Sequence, residues 1–111
     1  MKDIVLSENV QAEFDRYVSF ILKIDGVLRL YLFGSYAYGQ PNEFSDIDFY
    51  VVVRDDIDTL KVAQQISLGL SDRLLPIDVL VDKERDFITL IEPDRFTIQR
   101  EVNERGVLIF G

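Results

Sequence analysis

Leu30-Tyr31-Leu32-Phe33-Gly34-Ser35 and, ten residues later, Asp46-Ile47-Asp48-Phe49-Tyr50-Val51-Val52-Val53 are the segments that decide the fold. The first is a dense apolar run that stops at a glycine and a serine. The second is an apolar, β-branched and aromatic run opened by two aspartates. Both read as buried strands. Side chains at i and i+2 of a strand project to one face, so Asp46 and Asp48 are expected to point the same way. Two carboxylates held that close repel one another and resist ionising together, unless a cation compensates.

Working outward, apolar residues recur at Val10, Phe14, Tyr17, Val18, Ile21 and Leu22. That spacing predicts an amphipathic helix over Ser7 to Asp25, with Ser7 as its N-cap and Gly26 after its end. Val27 to Phe33 is the first strand and Asp46 to Val53 the second. The segment between them, Ser35 to Ser45, holds Gly39, Pro41 and Asn42 and is expected to contain a turn or loop. Asp55 to Leu75 is helical by pattern and is ended by Pro76. Ile77 to Val81 is a third strand. Lys83 to Ile91 is expected to be helical, and Asp94 is expected to cap a last helix running to Arg105. Val107 to Phe110 closes the chain as a short strand. The order α-β-β-α-β-α-α-β predicts an α+β fold: a small mixed β-sheet with helices packed on it. One domain over residues 1–111 is expected from the length.

Composition narrows the chemistry. The chain has no His and no Cys. Serine–histidine and cysteine–histidine catalysis, His-ligated zinc, disulfides and Fe–S clusters are therefore excluded. Carboxylates, hydroxyls, Lys, Arg and hard cations remain. Lys and Arg number 12 against 20 Asp and Glu, a net charge of −8. A chain this acidic is not expected to grip nucleic acid directly, because that binding needs basic residues on phosphates. Met1 to Ser7 does not read as a leader, and no apolar run approaches the length of a membrane span, so cytoplasmic location without membrane contact is expected.

A third carboxylate, Asp78, stands inside the apolar run Pro76-Ile77-Asp78-Val79-Leu80-Val81. If it faces the same side as Asp46 and Asp48, three carboxylates converge. Such a trio can hold one or two Mg²⁺ ions for in-line displacement at phosphorus. Gly34 lets the backbone approach a ligand closely, and Ser35 can donate to phosphate oxygens.

Gly34-Ser35, ten residues, then Asp46-Ile47-Asp48 forms a Gly-Ser-x10-Asp-x-Asp pattern. With Leu32-Phe33-Gly34-Ser35-Tyr36-Ala37-Tyr38-Gly39, Ser45-Asp46-Ile47-Asp48-Phe49 and Pro76-Ile77-Asp78-Val79-Leu80, it resembles the nucleotidyltransferase superfamily of DNA polymerase beta, in particular its minimal antitoxin-type members. The resemblance implies a polymerase beta-like fold. It implies that Asp46, Asp48 and Asp78 are catalytic and bind Mg²⁺ or Mn²⁺, with Asp78 helping to activate the attacking hydroxyl. Gly34 and Ser35 would hold the β- and γ-phosphates of ATP, and Tyr36 and Ser45 would complete the nucleotide site. The implied reaction transfers AMP from ATP to a hydroxyl, releasing pyrophosphate. The implied acceptor is a tyrosine of a HEPN ribonuclease toxin, neutralised by this chain as its antitoxin, in an assembly with the toxin or with itself. An acidic surface suits a basic, RNA-cutting partner.

In many relatives Arg stands where this chain has Tyr36 and Tyr38. Arg binds phosphate bidentately and Tyr does not. The alternative reading is therefore a weak or inactive nucleotidyltransferase-fold module that neutralises its partner by binding alone. Lys83 and Arg85, just after the third strand, are candidates to approach a triphosphate.

Overall fold

The computed structural model describes residues 7–39, 41–42 and 45–111. The reading of Met1 to Leu6 and part of the Ser35–Ser45 loop lie outside them. Nine elements follow in order: α1 (Glu8–Leu22), β1 (Val27–Phe33), α2 (Ser35–Tyr38), β2 (Ile47–Val53), α3 (Thr59–Gly69), β3 (Ile77–Lys83), α4 (Glu84–Leu90), α5 (Ile98–Arg105) and β4 (Val107–Phe110). The expected order holds, with α2 as an additional single turn directly after Gly34.

The four strands form one mixed sheet in the order β3-β2-β1-β4. β1 runs antiparallel to both β2 and β4, and β2 runs parallel to β3. A parallel pair needs a crossover, and α3 supplies it. Strand alternation then builds two apolar layers. Leu30, Leu32, Ile47, Phe49, Val51 and Val53 face α1 and α3, where they meet Phe14, Tyr17, Ile21, Val62 and Ile66. Tyr31, Phe33, Tyr50 and Val52 face the other way, against Phe87 of α4 and Val102 of α5.

Helix ends follow local hydrogen bonding. Ser7 caps α1, its hydroxyl accepting from the Val10 N–H at 3.4 Å. Asp58, three residues later than the expected start, caps α3 by accepting from Leu60 and Lys61. The last helix begins at Ile98 rather than after Asp94, because Thr97 provides the cap by accepting from the Arg100 N–H at 3.0 Å. Phe96 therefore precedes the helix and is 99% exposed. Gly69 ends α3 under the ring of Phe20, where a Cβ would overlap the ring carbons, so α1 and α3 touch closely at that point.

One polar cluster fixes the segment that leads into β3. The Tyr17 hydroxyl donates to Glu13 Oε2 at 2.6 Å and accepts from the Leu75 N–H at 3.0 Å. Glu13 also accepts from the Leu74 N–H and from Arg16. These bonds hold its carboxyl down at about 2, the Arg16 bond contributing most. Next in the chain, the Pro76 carbonyl accepts from the Ile47 N–H at 2.9 Å, which starts the β2–β3 ladder.

Candidate active site

That ladder sets the site. Ile47 pairs with Ile77, and Asp48 with Asp78. On its other side Asp48 pairs with Phe33 of β1. Side chains in register on neighbouring strands share a face, so Phe33, Asp48 and Asp78 form one row across the sheet. Strands lie about 4.8 Å apart, which brings the two aspartates side by side. They stand on the face covered further along by α4 and α5. Asp46 immediately precedes β2 instead of opening it, because the strand begins at Ile47.

The electrostatics join all three acids. Asp48 is lifted from its ordinary 3.8 to about 6, by burial first, then by repulsion from Asp78 and from Asp46. No described residue donates a hydrogen bond to Asp48 that would offset this. Among the described residues no three acidic side chains are already gathered around one point in a way that would hold an ion. The arrangement is an in-register pair with a third carboxylate within electrostatic reach.

Gly34 closes the site from the β1 side. Its φ is +74° and its ψ is −156°, a region open essentially to glycine alone. A Cβ built on it would collide with Asp48 Oδ2 and lie 2.9 Å from Asp48 Cγ. The glycine is therefore required twice, by backbone conformation and by the carboxylate pressed against it. The Ala37 and Tyr38 N–H groups donate to the Gly34 carbonyl as α2 begins, at 3.0 and 3.1 Å. Ser35 follows directly, at the mouth of this cradle.

The remaining expected residues are placed unequally. Tyr36 packs partly buried against the layer that holds α1 and α3, away from the aspartates' face. Tyr38, two residues on, packs against the layer on their own face. Ser45 accepts from the Asn42 N–H through its hydroxyl at 2.9 Å and so closes the turn ahead of Asp46. Lys83 and Arg85 are not near the pair. β3 runs two residues longer than expected, to Lys83, which pairs with Val53 at the far end of β2. Five residues of strand separate Lys83 from Asp78, about 17 Å.

Sequence reasoning did not find two neighbouring groups. Asp82, four residues after Asp78 on the same face, accepts from the Tyr50 hydroxyl at 2.8 Å and from Gln99 Nε2 at 3.0 Å. Arg105 lies over the ring of Tyr38, its guanidinium carbon 4.4 Å from the centroid. Both are contacts between residues far apart in the chain, with no local pattern to signal them.

Comparison with known proteins adds to this geometry. Residues 15–111 match the family model described as polymerase beta, nucleotidyltransferase. A relative from Methanocaldococcus jannaschii, named "Putative protein adenylyltransferase MJ0141", is 42% identical over 69 residues, covering 62% of this chain and 68% of the relative. Among solved structures, a chain of the tri-AMPylated Shewanella oneidensis HEPN toxin in complex with MNT antitoxin aligns with TM-score 0.51 and 21% identity, covering 91% of this chain and 71% of that one. A chain of a toxin-antitoxin structure with AMP-PNP aligns with TM-score 0.50 and 24% identity, covering 96% and 74%. At those identities the structural likeness is one of fold. The match over residues 15–111 is decisive for ancestry: the chain belongs to the polymerase beta nucleotidyltransferase family and is a nucleotidyltransferase.

Proposed function

We propose that this nucleotidyltransferase is a Mg²⁺-dependent protein adenylyltransferase. It moves AMP from ATP onto a hydroxyl of a partner protein, a tyrosine of a HEPN-type ribonuclease toxin, and thereby acts as the antitoxin. The observation that carries the proposal is the in-register pair Asp48–Asp78 against Gly34, with no donor to Asp48 among the described residues. The name of the Methanocaldococcus jannaschii relative supports protein adenylylation. The complex of a HEPN toxin with an MNT antitoxin among the fold neighbours supports the partner.

In this reading Asp46, Asp48 and Asp78 hold the divalent cation. Their chemistry fits it: all-oxygen donors, mutually repelling, one of them already reluctant to ionise without a counter-charge. A cation bound there would neutralise charge on the phosphates and on the departing pyrophosphate. Gly34 lets the nucleotide's phosphates approach the backbone, and Ser35 donates to them. Asp78 accepts the proton of the attacking hydroxyl. A bond forms between the acceptor oxygen and the α-phosphorus, the bond from that phosphorus to the bridging oxygen breaks, and pyrophosphate leaves with the electron pair. Residues 1–111 act as one catalytic domain, in the cytoplasm, bound to the toxin.

The test is transfer of label from α-labelled ATP, with Mg²⁺, to a HEPN-type protein from the same organism. Wild-type chain labels the partner and Asp48→Asn does not. Equal labelling by that variant rejects the proposal. One observation favours the second reading, neutralisation by binding alone: no three carboxylates already converge among the described residues. Under that reading Asp48→Asn still silences the toxin.

A further inference from the structure

A triphosphate brought to three carboxylates needs positive charge from the protein as well as from a cation, and this chain is poor in it. The positive groups are mostly committed elsewhere. Lys83 is at the far end of β3. Arg54 is divided between Asp25 and Asp56. Arg16 is held by Glu13 and Asp72. Arg29 lies over Phe87, paired in β1 with Val52, four residues along β2 from Asp48. Arg100 is spent on Glu104 and on the carbonyls of Pro93 and Arg95.

Arg105 is placed differently. It is the last residue of α5, and Val107 immediately pairs with Leu32. Gly106 between them lies so close to β1 that a Cβ there would be 3.2 Å from the Leu32 carbonyl oxygen. The end of α5 therefore abuts the end of β1, two residues before Gly34. The guanidinium rests on Tyr38, the last residue of the short α2 that Gly34 and Ser35 begin. Tyr38 itself packs on the layer of Phe33, the residue that pairs with Asp48. The ring thus holds the cation at the rim of the aspartates' own face.

The charge there is available. Arg105 is 56% exposed, and its ion pair is with Glu101, 47% exposed and one turn back on the same helix. Pairs of this kind are weak in water and yield readily to a stronger anion. With Nη1 given to Glu101 and the ring beneath the guanidinium carbon, the remaining N–H donors can meet phosphate oxygens.

We propose that Arg105, stacked on Tyr38, binds the polyphosphate of the incoming nucleoside triphosphate. Tyr38 positions it, so the tyrosine serves the nucleotide site as the platform for a cation borrowed from α5. The inference rests on the nucleotidyltransferase reading of the Gly34 and Asp48 cradle and names one more residue for it.

The experiment is a titration of the full chain, with Mg²⁺, using a fluorescent ATP analogue and the matching analogue of adenosine. Arg105→Gln weakens binding of the triphosphate by roughly ten- to a hundredfold, the range of a charge-assisted contact, and leaves adenosine binding unchanged. Tyr38→Leu shows a smaller loss of the same kind. Arg105→Lys recovers part of it, and Glu101→Gln, which releases the guanidinium, binds ATP as well as wild type or better. Circular dichroism melts check that each variant folds, and Arg105→Lys keeps the test decisive if Arg105→Gln does not. In transfer assays Arg105→Gln raises KM for ATP and not KM for the acceptor. Unchanged ATP affinity in folded Arg105→Gln, or an equal loss for adenosine, overturns the proposal while the reading of the cradle stands. A wild-type chain that binds no ATP overturns both.

Discussion

Asp78 and Asp82 lie four residues apart on one face of one strand, yet their surroundings are opposite. Asp82 accepts from Tyr50 and Gln99, which tie β3 to β2 and α5. Asp78 is exposed and lies beside Asp48 with no donor between them among the described residues, and the repulsion helps lift Asp48 to about 6. A carboxylate kept for stability is normally brought together with its donors, because an unpaired buried charge is costly. Asp48, half-buried beside exposed Asp78 and given no donor among the described residues, bears such a cost, which a bound cation would relieve. The comparison separates a structural end of the strand from the end proposed to be functional.

The sharpest way to break that comparison is substitution at the functional end. Asp48→Asn should lower nucleotidyl transfer by at least roughly a thousandfold, the scale of losing a contact worth several kcal/mol to the transition state. Its melting temperature should not fall. A variant that loses activity and stability together would place Asp48 in the same class as Asp82. Gly34→Ala comes next. The new methyl collides with the Asp48 carboxylate and forces a left-handed backbone on alanine. Transfer should drop by roughly a hundredfold, as displaced catalytic groups do, with a backbone cost of about 1–3 kcal/mol. Retained activity would show that Asp48 can turn aside without penalty.

At the structural end, Asp82→Ala leaves the phenol of buried Tyr50 without its acceptor. Denaturant melts should show a loss of about 1–3 kcal/mol, with transfer at low temperature nearly intact. Tyr50→Phe should be milder, since it removes the donor and leaves Asp82 its bond from Gln99. If Asp82→Ala abolishes transfer in a chain that still folds, the division between the two ends is wrong.

Much of this was legible from residue order alone. The dense apolar runs Val27 to Phe33 and Asp46 to Val53 predicted two buried strands, and the structure splits their side chains into two apolar layers, one on each face of the sheet. The Gly-Ser and aspartate spacing pointed to one end of the sheet, and the β2–β3 register sets Asp48 and Asp78 together there. What was not legible depends on distance in the chain. Lys83 and Arg85 looked close to the phosphates because the strand seemed to end at Val81. Two more residues of ladder carry them to the opposite end. Tyr36 and Tyr38 looked equivalent, yet they pack against opposite layers. The Thr97 cap outcompeted Asp94 through a hydroxyl that also reaches back to the Leu90 carbonyl. The contacts of Tyr50 with Asp82, and of Tyr38 with Arg105, join residues that no local period relates.

The smallest expected effect is also the most direct measure of the repulsion. Asp48 titrates higher in the folded chain than at its ordinary 3.8, so between that value and about 6 the native state binds more protons than the unfolded one. Stability must then fall as pH rises through this window, and the penalty is complete above it. Fully expressed, the displacement would be worth about 3 kcal/mol. The carboxylate is partly open to water, and screening reduces this to about 1 kcal/mol. Asp48→Asn should therefore be more stable than wild type by about 1 kcal/mol at pH 7, with the gap closing as pH falls from 6 to 4. Glu13 has the opposite sign. Its carboxyl is held down at about 2, so its contribution is present above its ordinary 4.5 and fades as pH falls from there towards 2. Comparing wild type with Asp48→Asn cancels that common term. Adding Mg²⁺ at pH 7 should close the gap from the other side, because a cation that binds the native state stabilises wild type and has less to hold in the variant. A gap that ignores both pH and Mg²⁺ would mean that the aspartates at the functional end do not sense one another, and the contrast with Asp82 would lose its physical basis.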